Sequence, residues 1–327
     1  SDHDGREWSH EIEPKFGLCA GQHLQFFAPS AYQGPFWQLL RIHPVKAVKN
    51  TVKLCNHAAE MSRHSKFQDE IIALTVPFLP EGNQFLLSER MWLAHRGTTV
   101  APYMLESALM ALEKWFLEAH TVGVNIVPFL EYVLHKGTSA FTLSIVASVL
   151  NAYPNLCSEK FLDLFRVREF IGMDRIRVVY ESHTHAMASP RNPMSAAMQQ
   201  ERTESNKLPH RRFDLEWLIF RLQIEAPQLK EAIWQILDDH KAAIDSGDTF
   251  KETQLWRLAL KRMDLREMKP GEPSQEGYIP LEIRELGSDL QQLVEDGAEQ
   301  WRGTNIATRL FLWGNSFFDA DAEQHRT

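Results

Sequence analysis

The sequence predicts a mostly α-helical protein, an irregular α-solenoid-like array interrupted by a small β-hairpin insertion. Three observations lead there. Apolar residues recur every three or four positions along most of the chain, the spacing of one helix face. Prolines stand at the heads of these stretches, where the first helical turn needs no backbone N–H. One intervening segment is instead short, β-branched and bounded by a glycine turn.

Taken in order, Pro44 opens a helix that Val45, Val48, Val52, Cys55 and Ala58 carry to about His64. The β insertion follows, over about residues 68–96. Glu70–Val76, the turn Glu81-Gly82-Asn83, Gln84–Leu87 and Met91–Ala94 read as two or three strands. From Pro102, Leu105, Ala108, Leu112, Trp115 and Ala119 mark a second helix, and Met104, Leu109 and Phe116 widen its stripe. A stripe that wide faces a core rather than a single partner seam.

Shorter helices come next over Ile126–His135, Ala140–Ala152, Glu159–Phe165 and Val167–Tyr180. The first ends in a basic turn before Gly137. The second starts at a cap, Thr138 or Ser139, and stops before Pro154, and Ser158 caps the third. This succession is HEAT/armadillo-like, although no unit of fixed period aligns. Residues 182–209 read as a loop around one short helix, followed by helices at Phe213–Ile224, Leu229–Ile244 and Lys251–Met263.

The domain organisation expected is therefore a helical array over 1–266, a linker at 267–280 holding Pro270 and Pro273, and a terminal helical hairpin over 281–327. Ile283, Leu286, Leu290 and Leu293 line one hairpin helix, and Ile306, Leu310, Trp313 and Phe317 the other. Their apolar faces exceed what two helices cover, and the chain starts at Ser1 without a methionine. Continuation into a longer protein is expected.

Composition narrows the function classes. Hydrophobic residues make up 44% and charged residues 24%, the balance of a globular chain with a core to bury. A net charge of −8 argues against general nucleic-acid binding, which depends on neutralising phosphates. No apolar run reaches the ~20 residues of a membrane span. The polar start is no signal peptide, and Cys19, Cys55 and Cys157 form no CxxC pair. A cytoplasmic location is expected.

Candidate chemistry is sparse. There is no GxxxxGK[ST] loop, no GxGxxG after a strand, no HExxH and no GxSxG. No cofactor is implied, and no complete catalytic motif is present. His183 and His185 form an HxH step to which Glu181 could add an oxygen and His210 a fourth ligand, the core of an alternative reading as a metal-dependent enzyme. A polar loop carrying two of the chain's 14 histidines explains the same residues. His57 and His64, two helical turns apart, are too distant to share one ion unaided. Arg202, Lys207, His210, Arg211 and Arg212 cluster around the long loop as a candidate anion or partner contact. A solvated helix entrance balanced by Asp214 and Glu216 is the plainer explanation.

Three stretches, Arg96–Phe116, Ser144–Pro154 and Ser205–Glu216, resemble segments of the long helical regions of very large bacterial ATP-binding proteins. Some of these are STAND-class NTPases of AVAST-type anti-phage systems. The resemblance spans roughly residues 30–266 and carries no catalytic residues across. It implies a bacterial cytoplasmic protein whose ATPase core lies elsewhere, with this region as helical sensor, scaffold or arm. The expected partner is then another protein or the remainder of its own longer chain. A self-contained protein-binding adaptor is the other alternative.

Overall fold

Helix formation follows the apolar spacing closely. In the computed structural model, which describes residues 12–19, 23–26, 28–183, 193–244, 251–272 and 280–296, the chain is mostly helical with two small antiparallel sheets. It divides into two compact units, residues 1–236 and 237–327.

The first unit begins with α1 (Ile12–Lys15), α2 (Phe36–Ile42) and α3 (Pro44–Arg63). Along α3, Val48, Val52, Cys55 and Ala58 are buried as their spacing requires, while Val45, in the first turn, is 52% exposed. The insertion pairs β1 (Ile72–Leu74) with β2 (Phe85–Leu87) in the register Ile72–Leu87, Ala73–Leu86 and Leu74–Phe85. β2 is wholly buried, and Leu86 N–H donates to Thr138 O at 2.9 Å. The third apolar run is helical: α4 (Glu89–Leu93) starts there because the Ser88 side chain accepts from Met91 N–H. A local cap thereby overrides an ambiguous apolar pattern.

Next come α5 (Tyr103–Thr121), α6 (Val127–Lys136) and α7 (Ala140–Ala152). α5 packs against α2, α3 and α7, so it buries residues on nearly every side. α7 is buried along its whole length from Ala140 to Asn151. Two of its buried serines are satisfied locally or by arginine. Ser144 Oγ donates back to Phe141 O at 3.3 Å, and Ser148 Oγ accepts from Arg211 at 3.2 Å. Asn56 joins α3 to the α6–α7 connection, accepting from Thr138 N–H and donating to Lys136 O.

A 3₁₀ stretch, Glu159–Arg166, leads into α8 (Arg168–His183). Phe170 on α8 packs against Phe85 at 5.1 Å and stacks on Trp92 at 5.9 Å between centroids, locking α4 and the hairpin to α8. α9 (Pro193–Asn206) runs into a 3₁₀ turn, Pro209–Arg212, and α10 (Leu215–Glu225) follows, capped by Asp214.

The boundary between the units falls within α11 (Lys230–Ala242). The second unit contains α12 (Lys251–Met263) and the pair β3 (Met268–Pro270) and β4 (Leu281–Ile283). Met268–Pro270, expected in the linker, thus pairs with Leu281–Ile283, expected to open the terminal helical hairpin, so Ile283 lies on a strand, and the division between the units lies upstream of 267–280. Asp264, fully buried, holds this unit's polar interior. It accepts from Lys241 at 2.7 Å and from Arg266 at 2.8 Å, and Arg266 also grips Asp238. A helix over 288–296 buries Leu290. Its expected hairpin partner, with Ile306, Leu310, Trp313 and Phe317, lies outside the described residues. Among the described residues no helix is long and apolar enough to cross a membrane.

Candidate functional site

A cleft of about 1100 Å³ opens in the first unit. Its walls come from the turn Ser30–Gln33, the outer half of α5, the end of α7, α9 and the turn Pro209–Arg212. The aromatic residues Tyr32, Tyr153 and Phe213 border it together with Lys114, Gln200 and Arg221.

α5 carries two carboxylates on its buried side, Glu106 and Glu113, of which Glu113 lines the cleft. Each needs a compensating partner, because a buried unpaired carboxylate is far costlier than a paired one. Glu106 turns toward the chain before α5 and accepts from Thr99, Val100 and Ala101 N–H at 3.1, 2.8 and 3.0 Å. Those three donors form the tight turn after Gly97, in which Thr99 adopts a left-handed φ of 62°. Burial pushes Glu106 up to about 8, against the pull of these N–H groups and Arg202.

Glu113 faces the cleft. Arg211 donates to its two oxygens at 2.7 and 2.5 Å in a bidentate pair. Arg96 lies 3.8 Å from the same carboxylate and hydrogen-bonds Ser205 Oγ at 3.3 Å and Asn206 Oδ1 at 2.7 Å. Burial alone would raise Glu113, but Arg211 and the neighbouring charges outweigh it and hold the carboxyl well below its ordinary range. His95 donates from Nδ1 to Trp92 O at 2.9 Å, since a carbonyl can only accept, which leaves Nε2 bare 3.7 Å from Glu113. Burial lowers His95 to about 4, with Glu113 pulling the other way, so its ring is neutral at pH 7.

A second pair supports the first from behind. Arg177 on α8 grips Asp174 at 2.7 and 3.2 Å and donates to the carbonyls of Arg211 and Phe213 at 3.2 and 2.6 Å. Asp174 also accepts from Trp92 Nε1 at 3.1 Å. The backbone of the Pro209–Arg212 turn is therefore held by Arg177 while its Arg211 side chain is held by Glu113. Across the cleft, Glu201 on α9 binds Ser30 Oγ and accepts from Ala31 N–H at 3.1 Å. At the rim, Lys114 pairs with Glu118 at 2.9 Å and lies over the Tyr32 ring at 5.2 Å.

The basic cluster read from the sequence is divided by the fold. His210 and Arg211 are buried in the cleft wall, whereas Lys207 and Arg212 are exposed. Arg202 is partly buried near Glu106 and Glu201. His210 borders the cleft at 8% exposure, and its Nε2 has no hydrogen-bond partner among the described residues. Burial and then Arg211 push it down to about 3, so it too is neutral.

Of the proposed metal pair, His183 falls in the last turn of α8 with its side chain outside the described set, and His185 lies outside the described residues altogether. Among the described residues no group of three His, Cys, Asp or Glu side chains could hold a metal ion. His57 meets Gly17 O at 3.3 Å, and His64 pairs with Glu60 at 3.1 Å on the surface. Cys55 and Cys157 are buried thiols, and burial raises Cys157 to about 12.

Sequence reasoning passed over Glu113, Arg96 and His95. A readable signal existed: Glu106 and Glu113 stand seven apart on the apolar stripe of α5, and carboxylates there demand buried donors. The chain matches no protein-family model, and no curated protein is significantly similar to it.

Proposed function

We propose that this chain is a non-enzymatic recognition region of a larger, cytoplasmic, ATP-dependent bacterial protein of the anti-phage defence kind, and that the cleft receives its ligand. The observation that carries this reading is the open cleft of about 1100 Å³ whose walls are joined by polar anchors from distant parts of the chain. One wall, α9 with the Pro209–Arg212 turn, reaches the rest of the unit through Glu201, Arg96 and Arg211. A ligand that fills the cleft touches both sides of these anchors, which is the arrangement needed to bias a two-state element and pass binding on as a shift in equilibrium. The resemblance of Arg96–Phe116, Ser144–Pro154 and Ser205–Glu216 to helical regions of STAND-class NTPases supplies the ATP-dependent context.

ATP turnover by the full-length protein, with and without its activating partner, tests the proposal. In a Tyr32→Ala, Gln200→Ala variant, altered at the cleft rim, the ratio of stimulated to unstimulated turnover is expected to fall toward one. A full-length protein without ATP turnover, or a ratio untouched by the rim variant, overturns it.

A further inference from the structure

We infer that the inner end of the cleft is an oxyanion site, where Arg96, Arg211 and His210 together receive a carboxylate or phosphate group of the ligand. The inference deepens the recognition reading and rests on the cleft being the receiving surface.

Three features converge on that wall. The first is His210. A buried imidazole nitrogen without a partner is costly, and native interiors keep few of them. His210 Nε2 is such an atom among the described residues, on a ring more than nine-tenths buried that borders the cleft between Pro209 and Arg211. A neutral imidazole donates one N–H, so it can bind an oxyanion without adding to the charge that arginine supplies. Burial is the main reason that His210 is neutral, and the arginines beside it, which add to that effect, favour an anion at that point.

The second feature is charge. Two guanidinium groups, Arg96 and Arg211, both more than nine-tenths buried, border the cleft beside the Glu113 carboxylate. Glu113 is gripped by Arg211 through two short bonds, and Arg96 stands 3.8 Å from it. Arg96 also donates to Ser205 Oγ and Asn206 Oδ1, neutral oxygens that fix its plane. Guanidinium forks suit carboxylate and phosphate oxygens above other ligands.

The third feature is how the wall is held. Arg177 fixes the carbonyls of Arg211 and Phe213, so the turn bearing His210 and Arg211 is oriented before any ligand arrives. Preorganised donors of this kind bind charge without having to be ordered first.

The test uses the 327-residue chain, with inorganic phosphate, pyrophosphate and succinate as probes, each compared with chloride at matched ionic strength. Thermal unfolding and the ring ¹H–¹⁵N NMR signals of His210 are the readouts. At least one probe is expected to raise the melting temperature beyond chloride and to shift the His210 signals. Protection by the phosphates identifies a phosphate-bearing ligand; protection by succinate identifies a carboxylate. His210→Leu forfeits no hydrogen bond at Nε2 to the described residues, and its circular dichroism and its melting temperature without probe check that it folds. It is expected to weaken probe binding about tenfold or more. Arg96→Gln, read by the same signals, is expected to weaken binding and to flatten its dependence on salt. No protection beyond chloride by any probe, or equal protection of wild type and His210→Leu, overturns the site. Because ATP turnover does not enter these measurements, a failed anion site and a failed recognition region give different results.

Discussion

Glu113 on α5 and Arg211 in the turn before α10 are 98 residues apart in the chain and meet in the interior through two hydrogen bonds of 2.7 and 2.5 Å. The pair determines where the Pro209–Arg212 turn sits, and with it one wall of the cleft. Removing one partner of a buried pair strands the other's charge, whereas removing both leaves a neutral contact.

Arg211→Met is accordingly expected to cost about 3–5 kcal/mol, measured by urea unfolding. Adding Glu113→Gln to Arg211→Met should restore a large part of that loss. Additive effects of the two substitutions would show that the pair is not coupled.

Glu106 sets an alkaline trend. Its folded pKa of about 8 lies above the ordinary 4.5, because burial outweighs the N–H groups of Thr99, Val100 and Ala101. A raised folded pKa means that the folded state holds the extra proton. The contribution is fully present below pH 4.5 and is lost progressively as pH rises through 8. Chemical denaturation between pH 6.5 and 8, above the range in which the histidines act, should show falling stability in the wild type and a flatter profile in Glu106→Gln.

His95 and His210 act at the acid side. Their folded values, about 4 and about 3, lie below 6.5, burial being the main cause in both. The unfolded chain therefore takes up protons first. Their contribution is complete above pH 6.5 and declines as pH falls from there toward 4 and 3. His210→Leu should lessen that decline without abolishing it, since His95 keeps its share. An unchanged acid profile in the variant would contradict the neutral assignment of His210.

The turn before α5 offers two substitutions of opposite sign. Thr99 is β-branched yet holds a φ of 62°, a strained conformation that costs of order 1 kcal/mol or more. Thr99→Gly relieves it and is expected to raise the melting temperature slightly. Gly97→Ala should lower it clearly, because the φ there is 61° and a Cβ would stand 2.7 Å from Met110 Sδ. If both changes act in the same direction, the turn is not held as described.

Helix positions were determined by the sequence itself. The 3.6-residue spacing from Pro44 and Pro102 and the stops at Gly137 and Pro154 placed α3, α5, α6 and α7 within a residue or two, because amphipathic spacing and helix ends are local properties. The Met91–Ala94 run could not be assigned from pattern alone, since four apolar residues suit a strand and a helix equally. The Ser88 cap and the burial of Trp92 against Phe170 and Asp174 decided for helix. The basic cluster was visible as composition, but its division was not. Arg211 and Lys207 differ by four positions in the chain, and only the approach of α5 from about a hundred residues earlier makes one a buried partner of Glu113 and leaves the other in solvent. The cleft belongs wholly to tertiary structure for the same reason: its walls are remote segments brought together by burial of apolar faces, and their polar pairings are set by which face meets which.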